Sequence, residues 1–353
     1  MMTRLNSDSD QIEAVLRDRK APATVVGGKV TPGFVEYLLR PYPGTKVNAL
    51  KALRADIALA VGSEDVRIAQ QGGHLAVQVS REVETRRRVR LSALMERASK
   101  VADYTAVLGL SEDGAPLMAR LSAPEVGHVL IAGATGSGKT LLAQSMILSL
   151  CARQRPRQLG IIVIDPKLRA DNAFARHIEE HLLLPIAHDA TSATEALRRV
   201  CDVMDRRIID GPPVPRIVVM IDELADLCMT GGPVVVDALT RIAQRGRESG
   251  LHLIVCTQKP SAKAIGPLLK ANLPLRLVGK VASLEDARTA AGVPGTGAER
   301  LNGRGDFVAV TGSRVIRFQA AEPDVLTPSV GRLPAQPGLT GLYGSGLELQ
   351  AAR

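Results

Sequence analysis

The chain has 353 residues, with 45 Lys and Arg against 36 Asp and Glu and a net charge of +9. That length holds about two domains at ~150 residues each, and the basic balance suits a polyanionic partner. With no Trp, four Tyr and four Phe, a single-strand binder built on base stacking is disfavoured. Neither the cysteines (Cys151, Cys201, Cys228, Cys256) nor the six histidines show metal or disulfide spacing, and no apolar run approaches the ~18 to 20 residues of a membrane helix.

In chain order, residues 1–20 are polar and charged, a short helix or a disordered lead. Residues 21–100 read as a small α+β domain. Its strands are Thr24-Val25-Val26, Phe34 to Leu39 and His74 to Val79, around a helical stretch from Val47 to Val61. The cluster Arg86-Arg87-Arg88 with Arg90 reads as a solvated turn in preference to a DNA-facing patch. From residue 101 to 323 a large α/β domain is expected. It opens on a hairpin, Ala102 to Leu121, with Ser111 to Ala115 as its turn. Strands at Gln158 to Asp165, Pro215 to Asp222, Leu251 to Thr257 and Leu275 to Lys280 alternate with helical stretches, the pattern of a doubly wound parallel sheet. Residues 324–353, rich in Pro and Gly, read as a flexible tail.

Within that domain, Gly133-Ala134-Thr135-Gly136-Ser137-Gly138-Lys139-Thr140 fits the phosphate-loop pattern, between an apolar strand (Val129 to Ala132) and a helix (Leu141 to Leu150). The glycines let backbone N–H groups and the helix N-terminus face phosphates. Lys139 would reach the β- and γ-phosphates, and Thr140 would ligate Mg²⁺. A second apolar strand ends on Asp222-Glu223. Asp222 there would complete the Mg²⁺ shell, and Glu223 would polarise the attacking water. ATP and Mg²⁺ are therefore the expected cofactors. The plainer alternatives, a Gly-rich turn and a solvated strand end, account for each motif separately but not for both together.

Beyond these ATPase motifs the chain resembles the FtsK/SpoIIIE family of double-stranded DNA translocases. The resemblance rests on Ile164-Asp165-Pro166-Lys167, Asp222-Glu223-Leu224-Ala225-Asp226, and Ile242 to Leu253 with Arg245-Gly246-Arg247. It continues through Thr257-Gln258-Lys259-Pro260-Ser261, Lys270 to Pro274 and Asp286-Ala287-Arg288-Thr289, and spans about Ala21 to Glu322. It implies a RecA-like P-loop NTPase preceded by the family's smaller α domain, assembled as a homo-hexamer around duplex DNA. Arg247 would be the trans-acting arginine and Gln258 the γ-phosphate sensor. Lys259, with Lys263 in the same segment, would face the DNA channel. Two departures qualify it: only Ile208 to Pro215 stands where members usually carry a longer excursion, and neither a membrane region nor a winged-helix module is encoded, so a recruiting protein is a possible further partner. The expected function is ATP-driven translocation of double-stranded DNA in the cytoplasm, in a mobile element, plasmid transfer or chromosome handling. The alternatives are a secretion-type relative acting on proteins and a nucleotide-locked scaffold, which the intact Lys139, Asp222 and Glu223 disfavour.

Overall fold

The computed structural model describes residues 2–30, 34–63, 66–71, 74–80, 88–98, 101–167, 172–210 and 214–324. The chain divides into two compact units, Met1–Arg88 with Glu112–Gly114, and Val89–Ser111 with Ala115–Arg353. The expected flexible tail, apart from Asp324, lies outside the described residues, as do Arg86 and Arg87.

In the first unit, residues read as a polar lead form helix α1 (Met2–Asp18). Ile12 and Leu16, four apart and so on one face, are fully buried. They join Tyr37, Leu39, Leu50, Ile57, Val66 and Val77 in one core. Strands β1 (Ala23–Val30), β2 (Phe34–Pro41), β3 (Val66–Gln71) and β4 (His74–Ser80) form an antiparallel sheet in the order β1-β2-β4-β3. The helical stretch Val47 to Val61 is two short helices, α2 (Val47–Ala52) and α3 (Arg54–Ala60), separated at Leu53. The unit ends at Arg88, short of the boundary expected near residue 100. Helix α4 (Leu91–Arg97) buries Leu91 and Leu94 in the second unit's core instead.

The second unit is built on a nine-stranded sheet. Its strands are β5 (Thr105–Ser111), β6 (Pro116–Arg120), β7 (Val129–Ala132), β8 (Leu159–Ile164), β9 (Arg216–Ile221), β10 (Leu251–Thr257), β11 (Leu275–Gly279), β12 (Asp306–Thr311) and β13 (Arg314–Ala320). The expected parallel sheet is β11-β7-β10-β9-β8. Beyond β11 the sheet turns antiparallel through β12, β13, β5 and β6, so it is mixed.

Strands buried on both faces read as continuous apolar runs, and β7 shows how that works. Leu130 and Ala132 join a core with α7 (Ala190–Asp210) and α8 (Leu224–Arg245). Val129 and Ile131 join the opposite core with α4, α5 (Lys139–Cys151) and α6 (Asn172–Ile178). Helix α5 is buried from Leu142 to Leu150, and the serines enclosed with its apolar residues are hydrogen-bonded, Ser145 Oγ donating to Ala321 O and Ser149 Oγ to Met146 O, both at 2.8 Å. Helix α8 is broken at Gly232 (φ 63°, ψ −156°), one residue before Pro233. Proline both lacks an N–H and clashes with the preceding turn.

Candidate nucleotide site

The phosphate loop joins β7 to α5, with Lys139 as the first helical residue. Gly138 has φ 100°, and a Cβ there would stand 3.0 Å from Gly305 N, so a side chain is excluded on both counts. The loop is braced from outside. Gly305 N donates to Ser137 O at 2.8 Å, Arg304 N to Gly136 O at 3.1 Å, and Ala134 N to Lys280 O at 2.7 Å. Gly279 lets the next strand approach, since a Cβ on it would lie 2.9 Å from Ser137 Cβ and 2.9 Å from the Phe307 ring. This bracing comes from residues more than 130 positions downstream and carries no local sequence signal.

Lys139 is 4 % exposed, with Nζ donating to Gly133 O at 2.9 Å and Ala134 O at 3.0 Å. The ammonium thus lies across the mouth of the loop. Thr140 Oγ1 donates to Asp222 Oδ1 at 2.7 Å. Asp222 follows β9 and is 2 % exposed. A hydroxyl and a buried carboxylate in contact form the all-oxygen donor set that a hard cation such as Mg²⁺ takes, so these two residues fit the metal that the motif implies.

Glu223, also 2 % exposed, stands at the N-terminus of α8. Its Oε1 accepts from Thr257 Oγ1 and from Gln258 N, both at 3.0 Å. Its Oε2 makes no hydrogen bond and faces Lys167 Nζ at 3.6 Å. The Gln258 side chain turns to the phosphate loop, where Oε1 accepts from Thr135 Oγ1 at 3.2 Å. Thr135, Lys139, Thr140, Asp222, Glu223 and Gln258 therefore meet at the carboxyl ends of β7, β9 and β10, where ligands sit in open α/β sheets. Thr257 and Lys167 belong to the same cluster. In the sequence both stand only within the family-like motifs Thr257-Gln258-Lys259-Pro260-Ser261 and Ile164-Asp165-Pro166-Lys167, and that membership is the only signal they carry.

Arg247 does not join the cluster. It precedes β10 while Gln258 follows it, and seven strand residues at ~3.3 Å each put ~23 Å between them. Its guanidinium donates to Pro124 O at 3.1 Å. Two buried histidines lie at the same end of the sheet, their rings 6.3 Å apart. His252 Nδ1 is 2.8 Å from Gly127 O and its Nε2 3.1 Å from Arg216 Nη1, while His128 Nδ1 accepts from Leu253 N at 3.0 Å. Burial, first of all, pushes His128 down to about 3 and His252 to about 4, and Arg247 adds to both shifts. Lys259 and Lys263 are exposed, past the carboxyl end of β10. All four cysteines are free thiols, and among the described residues there is no His/Cys/Asp/Glu cluster able to hold a metal and no helix long and apolar enough to cross a membrane.

Two family descriptions match this chain. The FtsK alpha domain covers residues 1–81, and the FtsK/SpoIIIE family covers residues 89–211 and 210–262. The chain belongs to the FtsK/SpoIIIE family. The second match starts at Val89, where the second compact unit begins, and its two pieces meet at residues 210–211, ahead of β9. Among family relatives, DNA translocase FtsK of Bacillus cereus is 35 % identical over 322 residues, covering 82 % of this chain and 40 % of its own length. DNA translocase SftA of Bacillus subtilis is 36 % identical over 325 residues, covering 84 % and 33 %. DNA translocase SpoIIIE of Bacillus subtilis is 33 % identical over 343 residues, covering 88 % and 43 %. The chain thus spans less than half the length of these relatives. In structure it is similar to the conjugation coupling protein TcpA, in its monomer form with ATPγS (TM-score 0.61, 17 % identity, 89 % of this chain and 95 % of that one). It is also similar to the cytoplasmic domain of the type VII secretion ATPase EccC of Thermomonospora curvata (TM-score 0.59, 21 % identity, 72 % and 36 %). Both likenesses establish the P-loop ATPase fold.

Proposed function

We propose that this chain is an ATP-driven motor for double-stranded DNA, working as a homo-hexameric ring. The observation that carries the reading is the joined site, in which Thr140 meets Asp222 beside a buried, doubly hydrogen-bonded Glu223. Its setting is a family whose relatives are named DNA translocases.

Hydrolysis follows from what these residues can do. Lys139 exchanges its loop carbonyls for the β- and γ-phosphates of ATP. Thr140 and Asp222 hold Mg²⁺, which when bound neutralises charge developing on the phosphates. Thr257 and the Gln258 amide fix Glu223 through one oxygen and leave the other to orient water and take its proton. The Gln258 side chain, bonded to Thr135, is placed to sense the γ-phosphate. Arg247, ~23 Å from its own site, serves a neighbouring subunit, where a guanidinium suits the charge of the transferring phosphoryl group. Lys259 and Lys263 act as point charges on DNA phosphates and read no sequence.

The test is ATP turnover with and without linear duplex DNA. Strong stimulation by duplex supports the motor. Turnover indifferent to DNA but raised by a secreted protein's signal peptide would turn the reading to the secretion-type relatives.

A further inference from the structure

Lys167 follows β8 and stands between two carboxylates. Its Nζ lies 2.7 Å from Asp226 Oδ2 and 3.6 Å from Glu223 Oε2. The two acids differ in setting: Asp226, in the first turn of α8, is 47 % exposed on its side chain, and Glu223 is 2 % exposed. Glu223 has one oxygen already committed, since Oε1 accepts from both Thr257 and Gln258. The oxygen left for a water proton is Oε2, which makes no hydrogen bond. That oxygen is the one the ammonium faces.

A cation beside a general base competes with water for the same lone pair, and the competition is stronger in a buried site, where charges are screened less. We propose that Lys167 is a positioning residue that acts through Glu223 as a brake on ATP hydrolysis, and that Asp226 sets the strength of the brake by competing for the ammonium. Asp226 has the shorter contact, so it holds Lys167 about one bond length back from Glu223. Removing Asp226 gives the ammonium to Glu223 and tightens the brake. Removing the Lys167 charge frees Oε2. The proposal rests on the ATPase reading above, because it assigns Glu223 the base role.

The experiment is steady-state ATP turnover of the full chain, without and with linear duplex, for wild type and five variants. Lys167→Met should raise kcat without DNA roughly two- to fivefold, the scale of a partly exposed ion pair, with KM for ATP unchanged. Lys167→Arg should keep the wild-type rate. Asp226→Asn should lower kcat by a similar factor, and adding Lys167→Met to Asp226→Asn should reverse that loss. A merely structural role predicts the opposite signs, with Lys167→Met and the double variant both slower. The brake is overturned if Lys167→Met leaves kcat unchanged or lowers it while duplex still stimulates wild type, or if the double variant stays as slow as Asp226→Asn. If wild type and every variant are silent with and without duplex, the ATPase reading falls with it. Lys167→Gln, which keeps a polar side chain at a site 32 % exposed, should repeat the Lys167→Met result if the methionine disturbs folding.

Discussion

Thr140 Oγ1 donates a 2.7 Å hydrogen bond to Asp222 Oδ1 across 82 positions of sequence. Thr140 is the second residue of the helix after the phosphate loop, Asp222 directly follows strand β9, and β10 lies between β7 and β9 in the sheet. The bond therefore records the crossover order of the sheet: only a parallel core with β7 and β9 pointing the same way brings these two ends together.

The proposed roles within this cluster separate binding from chemistry. If the Lys139 ammonium meets the phosphates, Lys139→Ala should weaken ATP binding about 10- to 100-fold, the scale of a charge-assisted hydrogen bond. Glu223→Gln should bind ATP with near wild-type affinity and turn over about 10²- to 10⁴-fold more slowly. Fluorescent-nucleotide titration beside steady-state turnover checks both. A Glu223→Gln protein with normal kcat would move the base elsewhere.

Gly279 should resist substitution although it touches no nucleotide in this account. Its Cβ would stand 2.9 Å from both Ser137 Cβ and the Phe307 ring, so Gly279→Ala must displace either the phosphate loop or a core aromatic. Overpacking of this kind costs about 1–3 kcal/mol. A thermal melt should show a lowered Tm, and adding ATP should recover less of it than in wild type, because the loop that binds ATP is the part that gives way.

Acid should destabilise the second unit through His128 and His252. Their folded values are lowered to about 3 and about 4 from an ordinary 6.5, so the folded state keeps them neutral while the unfolded chain takes up protons. The contribution is fully present above pH 6.5 and is lost as pH falls from 6.5 towards 4, at up to ~1.4 kcal/mol per pH unit for each residue. Denaturant unfolding at several pH values should show that slope. His128→Asn, whose side-chain oxygen can still accept from Leu253 N, should make it shallower. An unchanged slope would place the acid sensitivity in other groups.

Arg247 supplies a test of assembly. If it completes a neighbour's site, Arg247→Ala should bind ATP yet lose about 10³-fold or more of its turnover, as trans-acting arginines do. Mixing Arg247→Ala with Glu223→Gln, each inactive alone, should restore part of the activity wherever an intact Glu223 meets an intact Arg247. A mixture that forms rings and stays inactive would pass the role to Arg245 or Arg288.

Much of this was legible in the sequence because the signals were local. The strand Val129–Ala132, the phosphate loop and the start of α5 share one contiguous pattern, and Leu251–Thr257 reads as a strand from its apolar run alone. What escaped was set by contacts distant in sequence. Helix α1 looks polar because Ile12 and Leu16 are few among charges, and only the sheet they pack on shows that they form a core. Strand β13, with Arg314 and Arg317 on it, has no apolar run. It is held by pairing with β12 and β5 and by the Arg317–Asp306 ion pair at 2.7 Å. Lys167 lies in the motif Ile164-Asp165-Pro166-Lys167, but its partnership with Glu223 is a fact of three dimensions.

Displacement of a third strand from the end of a linear duplex measures most directly whether hydrolysis at this site moves duplex DNA. The account predicts that the wild-type chain strips the third strand only when ATP and Mg²⁺ are both present, that a non-hydrolysable ATP analogue does not substitute, and that Glu223→Gln leaves the triplex intact while still binding duplex. Duplex-stimulated hydrolysis without any displacement, or displacement as fast with Glu223→Gln as with wild type, would contradict it.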